Sequence, residues 1–114
     1  MEITIYHNPR CSKSRQALNI LEGKGCNINI IEYLKNPLTF VQLTQIIEDL
    51  NIKPIDLVRK NESVWKENYK GKELSDSELI SAMINNPKLI ERPIAASSKG
   101  TVIGRPPENV LNVL

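Results

Sequence analysis

The stretch Ile3-Thr4-Ile5-Tyr6-His7-Asn8-Pro9-Arg10-Cys11-Ser12-Lys13-Ser14-Arg15 changes period partway along. Ile3 and Ile5 alternate with Thr4 and Tyr6, the two-residue repeat of a half-buried strand. Asn8-Pro9 is turn punctuation. From Ser12 to Glu22 the apolar positions Ala17, Leu18 and Leu21 fall on one helical face, and Gly23 and Gly25 end the run. Ile28, Ile30 and Ile31 then predict a second strand. Residues 2–33 thus read as a β-α-β unit, whose strands should be parallel and whose crossover right-handed.

Outward from that unit the pattern turns helical. Thr39-Phe40-Val41-Gln42 fits a capping box, and Phe40, Leu43, Ile46, Ile47 and Leu50 recur at helical spacing. Pro54 opens a short helix through Ile55, Leu57 and Val58 that ends near Arg59. Trp65 and Tyr69 form an i, i+4 pair. Ser75-Asp76-Ser77-Glu78 is a second capping box ahead of Leu79, Ile80, Met83 and Ile84, and Pro87 follows. The tail reverts to strands, Ile94 to Ser97 and Thr101 to Ile103, joined at Lys99-Gly100 as a hairpin. Pro106-Pro107 opens a last helix built on Val110, Leu111 and Leu114. The order βαβ, helical block, ββα predicts an α/β fold, a small mixed sheet flanked by helices. A single domain over 1–114 is expected, its helical insertion covering about 38–90.

Composition narrows the function. A chain of 114 residues is one domain's worth and can bury an ordinary core. Fifteen Lys and Arg against thirteen Asp and Glu give +2, too balanced to argue for nucleic acid or a membrane surface. Aromatic residues make up 4%, which disfavours stacking platforms for single-stranded nucleic acid. The apolar runs are too short to span a bilayer, and Met1-Glu2-Ile3 enters a strand with no secretory leader pattern. No long apolar face is left once the core is assigned, so a monomer is expected.

There are two cysteines, Cys11 and Cys26, and one histidine, His7. Structural zinc needs about four ligands of this kind, so no metal site is expected. The intervening helix of about eleven residues, roughly 16 Å long, holds the two sulfurs too far apart to bridge. Two free thiols point to a reducing cytoplasm.

Cys11 lies directly between strand and helix. A helix N-terminus presents unpaired N–H groups and the positive end of the dipole, and both favour a thiolate, the nucleophilic form. Ser12 and Ser14 offer hydroxyls, while Arg10, Lys13, Arg15 and His7 add positive potential; such a cradle also suits oxyanions. Ser14 stands where a CxxC motif would carry its second cysteine, so a disulfide on Cys11 needs an outside thiol to resolve it. Cys26 reads as a packing or surface thiol. Arg59 ends a short helix, Arg92 precedes Pro93, and Arg105 precedes Pro106-Pro107; stiff backbone can aim each guanidinium, whose fork matches a tetrahedral oxyanion. Taken one at a time, each also fits a solvated surface arginine.

The run His7 to Arg15 resembles the motif of the glutaredoxin-dependent arsenate reductase (ArsC) family. The resemblance continues through Tyr33-Leu34 with Asn36-Pro37, Leu57 to Asn61, Pro87 to Pro93 and Gly104 to Pro107, in order over nearly the whole chain. It is nearest to the short YfgD-like branch, which stops just after the final helix. The loop departs from the arsenic-resistance enzymes, which carry a smaller Gly-Thr pair where Ser12 and Lys13 stand.

The resemblance implies a thioredoxin-like fold with a helical insertion. It implies that Cys11 is the nucleophile forming a thiol–arsenate ester, that Arg59, Arg92 and Arg105 bind the oxyanion, and that His7 tunes the site. It also makes Ser14 a hydrogen-bond partner of the thiolate and Pro93 the cis-proline of such folds. Glutathione would be the reductant and glutaredoxin the recycling partner, with no metal or tightly bound cofactor. Two other activities fit the same fold: a glutathione-linked thiol-disulfide oxidoreductase, and an Spx-like regulator that binds RNA polymerase. Efficient deglutathionylation with poor arsenate turnover would mark the former. Stoichiometric recovery of polymerase would mark the latter, although Ser14 removes the CxxC switch that many such regulators use.

Overall fold

A computed structural model describes residues 1–114. Two compact units divide them: Met1–Asn36 with Arg92–Leu114, and Pro37–Glu91.

The first unit carries a four-stranded mixed sheet in the order β2-β1-β3-β4. Strand β1 (Glu2–Tyr6) pairs in parallel with β2 (Asn27–Ile31), with Ile3 opposite Ile28 and Ile5 opposite Ile30. On its other side β1 runs antiparallel to β3 (Ile94–Ser97), with Ile5 opposite Ala95, and β3 turns back on β4 (Gly100–Ile103). Helix α1 (Ser12–Gly23) connects β1 to β2. Gly25 relieves the turn after it with a φ of 71°, a left-handed value that glycine adopts without penalty. Ile3 and Ile5 from β1, Ala17 and Leu21 from α1, Ala95 from β3 and Val110 and Val113 from the tail form one buried cluster. That cluster fixes β1, the internal strand from whose C-terminal end the loop at 7–11 emerges.

The tail departs from expectation. Pro107–Val113 is a 3-10 helix rather than an α-helix. Its period of three brings Pro107, Val110 and Val113 onto one buried face. Leu111, expected inside, is exposed. Gly100 also belongs to β4 rather than to the turn.

The second unit is helical. Helix α2 (Phe40–Leu50) starts at the Thr39 capping box: Gln42 N–H donates to Thr39 Oγ1 at 3.1 Å and Thr39 N–H donates to Gln42 Oε1 at 2.9 Å. Leu43, Ile46 and Ile47 are its buried stripe, while Phe40, in the first turn, faces outward against expectation. A 3-10 turn spans Pro54–Leu57, helix α3 spans Ser63–Asn68, and α4 spans Asp76–Asn85 behind the Ser75 capping box. Trp65 and Tyr69 stack with ring centroids 5.7 Å apart, and Asn86 Nδ2 donates to the Tyr69 hydroxyl. One antiparallel bridge pairs Val58, just after the 3-10 turn, with Ile90 near the C-terminal end of this unit.

Candidate active site around Cys11

Cys11 is the N-cap residue of α1, in extended backbone at φ −92° and ψ 122°. The turn before it is closed twice: Cys11 N–H donates to Asn8 O at 3.0 Å, and Arg10 N–H donates to Asn8 Oδ1 at 3.0 Å. Arg15 Nη1 donates to Pro9 O at 3.0 Å and pins the loop from the helix side. Asn8 and Pro9 are thus the turn formers that the sequence indicates. The first turn of α1 contains no acidic residue, so its positive end is not offset locally.

The sulfur is nearly buried, with Cys11 8% exposed. It takes no hydrogen bond from the first-turn backbone, so it does not cap the helix in the way expected from its position. Its hydrogen bond comes from the other end of the chain: Arg105 Nη2 lies 3.5 Å from Cys11 Sγ. Arg105 Nε also donates to the carbonyl of Arg92 at 2.7 Å, so one guanidinium ties the residue before Pro93 to the sulfur. The Arg92–Pro93 and Arg105–Pro106 peptide bonds are both cis; the second has no counterpart in the sequence reading. Arg92 itself presents Nε and Nη1 buried without an acceptor in the protein. Buried donors in native proteins are almost always paired, and a guanidinium most of all. An anion is the partner that suits them.

His7 and Ser14 form a second layer beneath the loop. Both are buried, and His7 Nδ1 and Ser14 Oγ share a hydrogen at 2.6 Å. Ser14 Oγ also accepts from Asn8 N–H at 3.1 Å. The Ser14 hydroxyl thus meets His7 and Asn8, while a hydrogen bond to Cys11 Sγ comes from Arg105. Ser14 is the third residue of α1 and faces the interior, which is why it meets His7 at the end of β1. Burial away from water holds the His7 imidazole below its ordinary value of 6.5; the Glu32 carboxylate opposes this and the Arg15 guanidinium adds to it.

Arg59 belongs to the second unit and is held there by two carboxylates. Its Nη1 donates to Glu62 Oε1 at 2.6 Å, and its Nε lies 3.6 Å from Glu91 Oε1. Sequence reading gave no sign of either acid. Gly104 was also missed as a position with a role of its own. A Cβ there would stand 2.8 Å from Pro93 Cγ and 3.1 Å from Val110 Cγ1, and its N–H donates to Pro93 O at 2.8 Å. Only glycine lets the chain leaving β4 pass this close to the Pro93 ring on its way to Arg105. Both cysteines are free. No group of three or more His, Cys, Asp or Glu side chains is placed to hold a metal ion, and no helix is long and apolar enough to cross a membrane.

A strand–loop–helix that presents one cysteine, on a four-stranded mixed sheet flanked by helices, defines a thioredoxin-like protein with a single thiol in its loop. Within that class the chain belongs to the ArsC family, whose model matches residues 6–113. It is 42% identical to the YfgD protein of Escherichia coli (strain K12), over 99% of this chain and 97% of the relative. It is 40% identical to the arsenate reductase of Haemophilus influenzae over the full length of both. The solved structure of an arsenate reductase from Vibrio cholerae superposes with a TM-score of 0.94 at 40% identity, covering 100% of this chain and 98% of that one. The enzymes of this family use a thiol reductant and no tightly bound cofactor.

Proposed function

We propose that this protein is an arsenate reductase: it reduces arsenate to arsenite through a covalent adduct on Cys11, with glutathione as reductant and glutaredoxin as recycling partner. The observation that supports this reading best is the Arg105 guanidinium at 3.5 Å from Cys11 Sγ, a planar fork of the kind that suits a tetrahedral oxyanion. The two buried, acceptor-less nitrogens of Arg92 support it, as do the roughly 40% identical relatives named arsenate reductase.

The chemistry follows from charge. A sulfur anion attacking an oxyanion meets like-charge repulsion, which guanidinium groups offset while they orient the substrate. Arg92 and Arg105 take that role here, and the family resemblance adds Arg59. The Cys11 sulfur forms a bond to arsenic as an arsenic–oxygen bond breaks, and the oxygen leaves as water. Glutathione sulfur then bonds to Cys11 sulfur. The sulfur–arsenic bond breaks, and its electron pair stays on arsenic, taking it from the pentavalent to the trivalent state. A glutaredoxin thiolate attacks the glutathione sulfur of the mixed disulfide and releases Cys11. An outside thiol suits a loop in which Ser14 stands in place of a resolving cysteine. His7 and Ser14 act as positioning residues for the turn that carries Cys11. The protein works as a monomer in the reducing cytoplasm, where its two free thiols persist.

The test is arsenite production with glutathione and glutaredoxin. Cys11→Ser should abolish it, and Arg92→Ala should lower kcat/KM by about 100-fold, as expected for a lost electrostatic contact. Full turnover by Cys11→Ser would refute the mechanism.

A further inference from the structure

Arg105 reaches the Cys11 sulfur although it is itself an exposed residue, so burial does not aim its side chain. Its direction rests on how the backbone around it is held. Ile103 ends β4, the last strand of the sheet. In a turn or a helix, a carbonyl accepts from the N–H three or four residues further on. For Ile103 those residues are Pro106 and Pro107, which have no N–H to give. The stretch that carries Arg105 therefore needs a donor from elsewhere.

Asn109 is that donor. Its carboxamide Nδ2 donates to Arg105 O at 3.0 Å and to Ile103 O at 3.4 Å, one hydrogen to each. The shorter bond is the main tie. Asn109 is half-buried and its own backbone is fixed: its N–H donates to Pro106 O at 3.0 Å, and the next residue, Val110, is part of the buried cluster beneath the sheet. Between the two tied carbonyls, Gly104 N–H donates to Pro93 O at 2.8 Å. Ile103, Gly104 and Arg105 are thus each held by a hydrogen bond, two of them from one side chain. The guanidinium at the end of this segment then meets Arg92 O at 2.7 Å and Cys11 Sγ at 3.5 Å. All these residues belong to the first unit.

We infer that Asn109 is a positioning residue for the reaction: it touches neither the sulfur nor the oxyanion, and it acts by anchoring the backbone from which Arg105 reaches them. This rests on the reading above that Arg105 holds the oxyanion at Cys11. The test uses the full chain with Asn109→Ala, which removes the donors, and Asn109→Asp, which keeps the shape but turns an acceptor toward two carbonyl oxygens. Each is made alone and together with Arg105→Ala. Arsenite production is measured with glutathione and glutaredoxin, and protection of Cys11 from iodoacetamide by arsenate is read by peptide mass spectrometry. Urea melts show which variants fold, and Asn109→Ala carries the comparison if Asn109→Asp does not. Asn109→Ala should lower kcat/KM about tenfold, the scale of one lost hydrogen bond. It should also raise the arsenate needed for half-protection by about tenfold, with Asn109→Asp affected at least as much. In the Arg105→Ala background neither substitution should change either readout further. A general defect in folding would act in both backgrounds, so this non-additivity assigns the effect to Arg105. Turnover and protection equal to the parent in both Asn109 variants, or losses that multiply with that of Arg105→Ala, would overturn the inference. Failure of the underlying reading has a different signature: Arg105→Ala itself leaves turnover and protection unchanged.

Discussion

Arg105 and Cys11, 94 residues apart in the chain, meet through a 3.5 Å contact between guanidinium and sulfur. The same side chain reaches the Arg92 carbonyl through Nε. Both contacts depend on the planar fork. A lysine presents one ammonium on a flexible stem and cannot hold the two acceptors together. Arg105→Lys should therefore lose kcat/KM nearly as far as Arg105→Ala, each by about 10- to 100-fold, the loss of one to two charge-assisted hydrogen bonds. Steady-state kinetics with arsenate checks this, and a Lys variant close to the parent would show that charge alone suffices.

Gly104 sets how closely the segment leaving β4 approaches the Pro93 ring. Gly104→Ala must push a methyl group against Pro93 Cγ at 2.8 Å, and the proline ring has no rotamer with which to yield. Overpacking of this kind costs about 1–3 kcal/mol. Denaturant melts should show that loss, and kcat/KM should fall along with it because Arg105 is the next residue. Substitution at Gly23, where a Cβ meets nothing within 4 Å, is the control.

The pH dependence of stability has a definite sign at His7. Burial places its folded-state value below the ordinary 6.5, so between the two values the unfolded chain binds a proton that the folded protein refuses. Stability then rises with pH through that window. In the other direction, it is lost as pH falls below about 6.5 and the loss levels off once pH passes the depressed folded value. Urea melts from pH 7.5 to pH 5 should show this slope, and His7→Gln should flatten it. A slope unchanged in His7→Gln would assign it to other groups.

Much of this was legible in the sequence because it is local. Ile3 and Ile5 alternate cleanly, both capping boxes carry their own partners three residues on, and Cys11 lies where a strand period gives way to a helical one. The tail was misread because Val110, Leu111 and Leu114 also satisfy an α-helical pattern. Only packing on the sheet selects the three-residue spacing of Pro107, Val110 and Val113. Relationships between distant residues were not legible. Nothing in the sequence pairs Arg105 with Cys11, or Glu91 with Arg59 across 32 positions, because these pairs exist only once the bridge and strands have formed. The resemblance links Ser14 to the sulfur, and its contact with His7 across the inward face of α1 is one that no sequence pattern indicates.

The claim on which the rest depends is that Cys11 carries the substrate and then the reductant. A single turnover with arsenate and glutathione, without glutaredoxin, should leave the protein stalled. Peptide mass spectrometry is predicted to find one glutathione in disulfide linkage on Cys11, none on Cys26, and one arsenite released per chain. Glutathione on Cys26 alone, or arsenite released by Cys11→Ser, would contradict the account.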